Sequence, residues 1–149
     1  MTVLAIVSVL AGLFGCKGKP EYTVADIESL SISCGHMDLR KSYSFGASQK
    51  DGDWILYAEC FAADGETQIK LETPIKSEEA EKLLSEAEKS GFIASVQKYK
   101  SSVFKPRVAD ETVYSSRITL SDGNEISAPI PASRELENIF YALAEEYTA

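Results

Sequence analysis

One arrangement occurs twice in this chain and limits what it can become. From Trp54 to Ser90, and again from Thr112 to Tyr147, a strand-like run leads through an Asp-Gly turn into a returning strand. A proline, a serine able to cap a helix, and an amphipathic stretch of about 13 residues follow in each case. The turns are Asp64-Gly65 and Asp122-Gly123, pairs that suit tight hairpins because glycine accepts a positive φ. Two such ββα units can bury their apolar stripes together by laying both helices on one face of a shared antiparallel sheet. The expected fold class is therefore α+β, with about six to seven strands and two amphipathic helices on one face.

The remaining segments fill in this plan. Ile27 to Ser33 reads as a first strand, Cys34 to Met37 as a turn, and Leu39 to Ser48 as a second strand with Tyr43 and Phe45 at period 2. Lys50-Asp51-Gly52-Asp53 signals a turn. Trp54 to Phe61 is apolar on both faces and is expected inside the sheet, and Gln68 to Ile75 returns beside it with Pro74 as its stop. Ser77 is placed as an N-cap with Glu78 and Glu79 in the first turn, where the helix dipole favours acids. Ala80, Leu83, Leu84 and Ala87 form the buried stripe of a helix over about 78–90, closed by Gly91. Phe92 to Tyr99 is read as a strand or extended segment and Lys98 to Arg107 as a loop. Thr112 to Leu120 and Glu125 to Ile130 make the second hairpin. Ser133 then caps a last helix whose stripe is Leu136, Ile139, Phe140, Leu143 and Tyr147.

The N-terminus carries a different kind of signal. Val3 to Phe14 is a run of about 12 apolar or small residues, ending at Gly15-Cys16 and followed by Lys17 and Lys19. A spanning helix needs roughly 20 such residues, so this run has the length of a signal-peptide core instead. Leu13, Gly15 and Cys16 resemble the lipobox of bacterial lipoproteins, although Phe14 is bulkier than that pattern usually holds. The α-amine of Met1 is the one positive charge ahead of the run, which leaves a start upstream of Met1 open. The resemblance implies cleavage before Cys16 and a diacylglycerol on its thiol. Two acyl chains anchor stably where one is marginal. The chain then divides into a signal peptide at 1–15, a lipidated Cys16 with tether at 16–25, and one α+β domain at 26–149. Fully extended, the tether reaches at most roughly 35 Å. The layout of residues 26–147 is also similar to small uncharacterised domains of bacterial lipoproteins, a likeness that brings no site residues.

Composition narrows the partners. The formal charge is −8, which argues against nucleic acid, because phosphate binding needs a basic surface. One local exception is Lys98, Lys100, Lys105 and Arg107 with Tyr99 and Phe104 between them. This cluster reads as a soluble loop or as a contact for anionic headgroups or an acidic envelope polymer.

Few residues suggest chemistry. The single histidine, His36, lies in Cys34-Gly35-His36-Met37-Asp38. That segment offers soft and imidazole ligands without the spacing of a metal motif, and it reads as a polar turn. Cys34 and Cys60 are either a disulfide between neighbouring strands or two small buried hydrophobes. Asp110-Glu111 could meet a cation or a basic partner. No phosphate loop, nucleophile elbow or His-Glu-x-x-His motif occurs. The reading assigns no catalytic residue, no metal and no cofactor. It expects an extracytoplasmic lipoprotein with a non-enzymatic binding or accessory role, held to a membrane through Cys16 and meeting an envelope protein or polymer. The alternatives are a small-ligand or ion binder and, more remotely, an enzyme.

Overall fold

Period-2 burial organises the strands. In β1 (Ile27–Gly35) Leu30, Ile32 and Cys34 are buried, and Ser29, Ser31 and Ser33 alternate with them. In β2 (Tyr43–Lys50) Tyr43, Phe45 and Ala47 alternate with Ser44, Gly46 and Ser48. The computed structural model describes residues 22–99 and 112–149. Within them β3 (Asp53–Phe61), β4 (Gln68–Ile75), β5 (Val113–Leu120) and β6 (Glu125–Ala128) complete one antiparallel sheet in the order β4-β3-β2-β1-β5-β6. The described residues also form three helices, α1 (Ser77–Lys89), α2 (Phe92–Lys98) and α3 (Arg134–Thr148), of which α1 and α3 follow from the sequence pattern. Their buried side chains join the sheet's buried side chains in one core, so among the described residues the sheet is covered on one face. The α+β expectation holds, with six strands. The two ββα units are present as β3-β4-α1 and β5-β6-α3, one at each edge of the sheet with β1 and β2 between.

Several details differ from the sequence reading. Residues 92–98 are helical, not extended. Phe92, Ile93 and Val96 are buried at spacings of one and three, which suits a helix turned onto β5 and β6. Gly91 makes the bend between α1 and α2 with φ +73°, a conformation open to glycine. Pro74 lies inside β4, where it is tolerated because β4 is an edge strand. The N-cap of α1 is Lys76, not Ser77, and the Glu79 carboxylate reaches back to accept the Lys76 N–H at 2.9 Å. Cys34 and Gly35 belong to β1, and Leu39–Lys41 is a short 3₁₀ turn ahead of β2. The second hairpin ends at Ala128. Ser133 does cap α3, accepting the Leu136 N–H at 3.1 Å.

The two ends of the sheet are distinct. Chain entry at Tyr22–Asp26 shares one end with the Lys50–Asp53 turn and the Ser121–Asn124 turn, and the Ser121 N–H donates to the Asp26 carbonyl at 2.8 Å. The other end carries the loop from His36 to Ser42 and the turn from Ala62 to Thr67.

Candidate functional site

The helix-covered face holds the buried ionisable groups Cys34, Tyr43 and Cys60. Cys34 on β1 pairs with Tyr43 on β2, and the register that sets Ser44 against Glu59 brings Cys60 of β3 alongside Tyr43 from the other side. Under α3, the buried Tyr43 hydroxyl donates a hydrogen bond to the Glu137 carboxylate. The Tyr43 ring stacks on Phe45 at 5.0 Å, and Phe45 stacks on Phe140 at 5.3 Å. Tyr141 meets both Tyr43 and Phe45 edge-on. Burial pushes the Cys60 thiol up to about 11, with the Glu145 charge adding to it. Burial and Glu137 together raise Cys34. Such thiols stay protonated and are poor nucleophiles.

Cys34 and Cys60 are free thiols. Of the two readings of this pair, the buried hydrophobes fit and the disulfide does not, because β2 runs between β1 and β3. Two strand spacings are roughly 9.5 Å, beyond the about 7 Å that a disulfide can bridge. His36 is built into its turn: Nδ1 accepts the Asp38 N–H at 2.9 Å, and its own N–H donates to Ser42 Oγ at 2.9 Å. Among the described residues no group of three or more His, Cys, Asp or Glu is arranged to hold a metal ion. Cys34 points into the core while Met37 is 76% exposed, so these neighbours in sequence diverge.

The opposite face of the sheet is the more distinctive surface. At its centre lie Ser29, Ser31 and Ser33 of β1 beside Ser44, Gly46 and Ser48 of β2, paired across the two strands. On one flank β3 presents Ile55, Tyr57, Glu59 and Phe61; on the other β5 presents Ser115, Arg117 and Thr119. The charges on the strands flanking this centre are paired outward, while Lys50 at the end of β2 and Glu72 on the edge strand β4 stand exposed. Glu59 lies 3.5 Å from Lys70, and Arg117 lies 3.3 Å from Glu125. The Tyr57 hydroxyl donates to Glu59 at 2.7 Å, which helps hold Glu59 below its ordinary range together with the Lys70 charge.

A cleft of about 450 Å³ opens at the end of this face away from chain entry. It is lined by Leu39, Ser42, Ser44, Glu59, Phe61 and Gln68, with Tyr43 and Cys60 beneath. Strand parity sets Ser44, Glu59, Phe61 and Gln68 on the open side. Leu39, 70% exposed, reaches this lining from the 3₁₀ turn. Sequence reasoning passed over the cleft because its members come from four segments. The one visible signal was the alternation of serines in β1 and β2.

Of the residues singled out from sequence, Lys98 ends α2 and is exposed. Cys16, Lys100, Lys105, Arg107 and Asp110-Glu111 lie outside the described residues. Among the described residues no helix is long and apolar enough to cross a membrane. Comparison with protein-family models, with curated proteins and with solved structures finds no match.

Proposed function

We propose that this chain is an extracytoplasmic lipoprotein, anchored to a bacterial membrane through Cys16, that acts without catalysis by presenting its open sheet face to a partner in the cell envelope. The observation that carries the reading is the open face itself. Its two central strands carry only serines and a glycine along their middle, and the charges beside them, Glu59 on β3 and Arg117 on β5, are each engaged in an ion pair. A face whose only task is to stay solvated can carry long charged side chains across its middle strands, as exposed sheet faces commonly do. The site chemistry agrees, since the described thiols are buried and protonated. Anchoring agrees as well. Chain entry lies at one end of the sheet and the cleft at the other, so a tether ahead of Tyr22 joins the domain at the end remote from the cleft.

The test is intact-mass analysis of the full chain expressed in a bacterium, beside Cys16→Ala. The wild type should lack residues 1–15 and carry acyl mass that the variant loses. A wild-type chain still beginning at Met1 would sink the anchoring. For the face, a photo-crosslinking residue at Ser31 should capture an envelope component in cells, and none should be captured from a Lys82 position on α1.

A second reading, a small-ligand binder, is favoured by the cleft. Its volume falls within the range of roughly 300–1,000 Å³ usual for ligand sites, and it combines apolar Leu39 and Phe61 with Ser44, Glu59 and Gln68.

A further inference from the structure

The cleft and the neighbouring floor of the sheet form one surface, because Ser44 and Glu59 belong to both. Its chemistry can be read group by group. Glu59 is engaged twice, by the Tyr57 hydroxyl and by Lys70. The first of these bonds fixes the Tyr57 ring, which remains 36% exposed. A ring immobilised before binding loses little entropy when a ligand stacks on it.

Gly46 stands directly across from Tyr57 on β2. A Cβ added there would meet the Leu30 carbonyl and Ser31 at 3.6 Å, ordinary contact distances, and its φ is not positive. Nothing in the fold requires glycine at this position, where it costs about 0.5–1 kcal/mol relative to alanine. Its effect is on the surface: no side chain stands before the Tyr57 ring from the β2 side. Glycine inside a strand marks a bulge, a bend, or the close approach of a ligand or another backbone, and the pairing through Gly46 runs without a bulge.

The floor supplies hydrogen bonds in both directions. Among the described residues the hydroxyls of Ser31, Ser33, Ser44 and Ser48 engage no partner, and each can donate and accept. Charge excludes much else. The chain's net charge of −8 repels anionic polymers, and of the two carboxylates beside Tyr57, Glu59 is already engaged by Tyr57 and Lys70, while Glu72, across from Tyr57 on β4, can accept from a hydroxyl.

We infer that this surface binds an uncharged, hydroxyl-rich glycan chain, with one sugar ring against Tyr57, further hydroxyls bonded along the serine floor, and an apolar substituent in the cleft lined by Leu39 and Phe61. The inference rests on the open face being the contact surface and names the class of partner it takes.

The experiment is a titration of the ¹⁵N-labelled full chain, in detergent micelles, with tetra-N-acetylchitotetraose, followed by amide shifts. Changes should gather on the β1–β3 residues of the open face and on the cleft segments. Tyr57→Ala should weaken binding about tenfold, equal to about 1.4 kcal/mol. Tyr57→Phe should retain most of the affinity, and Ser31→Glu should lose it. Each variant should keep the dispersed spectrum of the folded chain. Absence of saturable shifts at millimolar oligosaccharide overturns the inference, as does an affinity indifferent to Tyr57→Ala. If the sugar fails while the Ser31 crosslinker still captures a partner in cells, the glycan assignment falls and the broader reading stands. If both fail, both fall.

Discussion

The hydroxyl of Tyr43 bonds to the carboxylate of Glu137, 94 residues further along the chain. This contact ties the first residue of β2 to the first turns of α3, and it sits on an aromatic cluster of Phe45, Phe140 and Tyr141. Tyr43→Phe keeps the ring and leaves Glu137 without its donor. The expected loss is about 1–2 kcal/mol, as for a hydrogen bond to a charged group that retains some access to water. Tyr43→Ala also removes the stacked ring and should lose about 3–5 kcal/mol. Urea denaturation of the two variants checks the order. Equal losses would mean that the hydroxyl contributes nothing.

Stability should fall on the alkaline side. Burial raises Tyr43 beyond the ordinary tyrosine range, with the Glu137 bond adding to it, and burial pushes Tyr141 up to about 12. Cys60 is pushed up to about 11 from an ordinary 9.0. The folded state thus holds these protons more tightly than the unfolded chain does. Their contribution is complete below the unfolded values and is lost as pH rises from about 9 through about 12. Urea midpoints taken across this window should decline, and Tyr43→Phe should flatten the decline. A midpoint constant to about pH 12 would contradict the burial of these groups.

Acid should act through the turns. Asp64 Oδ1 accepts the N–H groups of Glu66 and Thr67, both at 2.8 Å, and Oδ2 accepts the Thr67 hydroxyl at 2.6 Å. The Thr67 hydroxyl and these N–H groups hold the Asp64 carboxyl below its ordinary 3.8. The stabilisation is present above that value and is lost as pH falls through the depressed one. Asp64→Ala should lower the melting temperature at pH 7 and reduce its dependence on acid below about pH 4. An unchanged acid limb would show that the turn is held by other groups.

Cys34 and Cys60 should be silent to thiol reagents in the native chain. Both are buried and free, with raised pKa values. Alkylation followed by mass analysis should modify these two positions only after denaturation. Rapid native labelling of either would place it at the surface.

The bend between α1 and α2 depends on Gly91, whose φ is +73°. Gly91→Ala should destabilise by about 1–2 kcal/mol, the penalty of a left-handed conformation for a residue with Cβ. Nothing lies within 4 Å of the added Cβ, so strain in the backbone is the whole effect. A neutral substitution in urea would indicate that α2 shifts to relieve it.

These contacts also show what the sequence could reveal. The β3-β4 and β5-β6 hairpins were legible because alternation, Asp-Gly turns and flanking serines are local signals. Helix α2 was not. Seven residues are too few for a helical period to emerge, and Phe92, Ile93 and Val96 are types that strands also favour. A bridge between Cys34 and Cys60 stays open as one of two readings because the sequence does not say which strands are neighbours; only the strand order shows β2 between them. The serine alternation of β1 and β2 is plain in the sequence, but its place at the centre of a sheet face depends on β1 pairing with β5, far away in the chain. The Tyr43–Glu137 bond was invisible because its partners lie 94 residues apart, and the cleft because several segments supply its lining.

That pairing has a consequence for how the protein is made. The first four strands form a meander of neighbours, whereas β1 receives its second partner from Val113–Leu120. A chain emerging N-terminus first carries β1 as a bare edge until nearly the whole length is out. Bare edges invite pairing with other chains. The last hairpin is therefore the clasp of the molecule. A chain stopped near residue 99 should aggregate, and supplying the 112–149 segment as a separate peptide should restore its solubility.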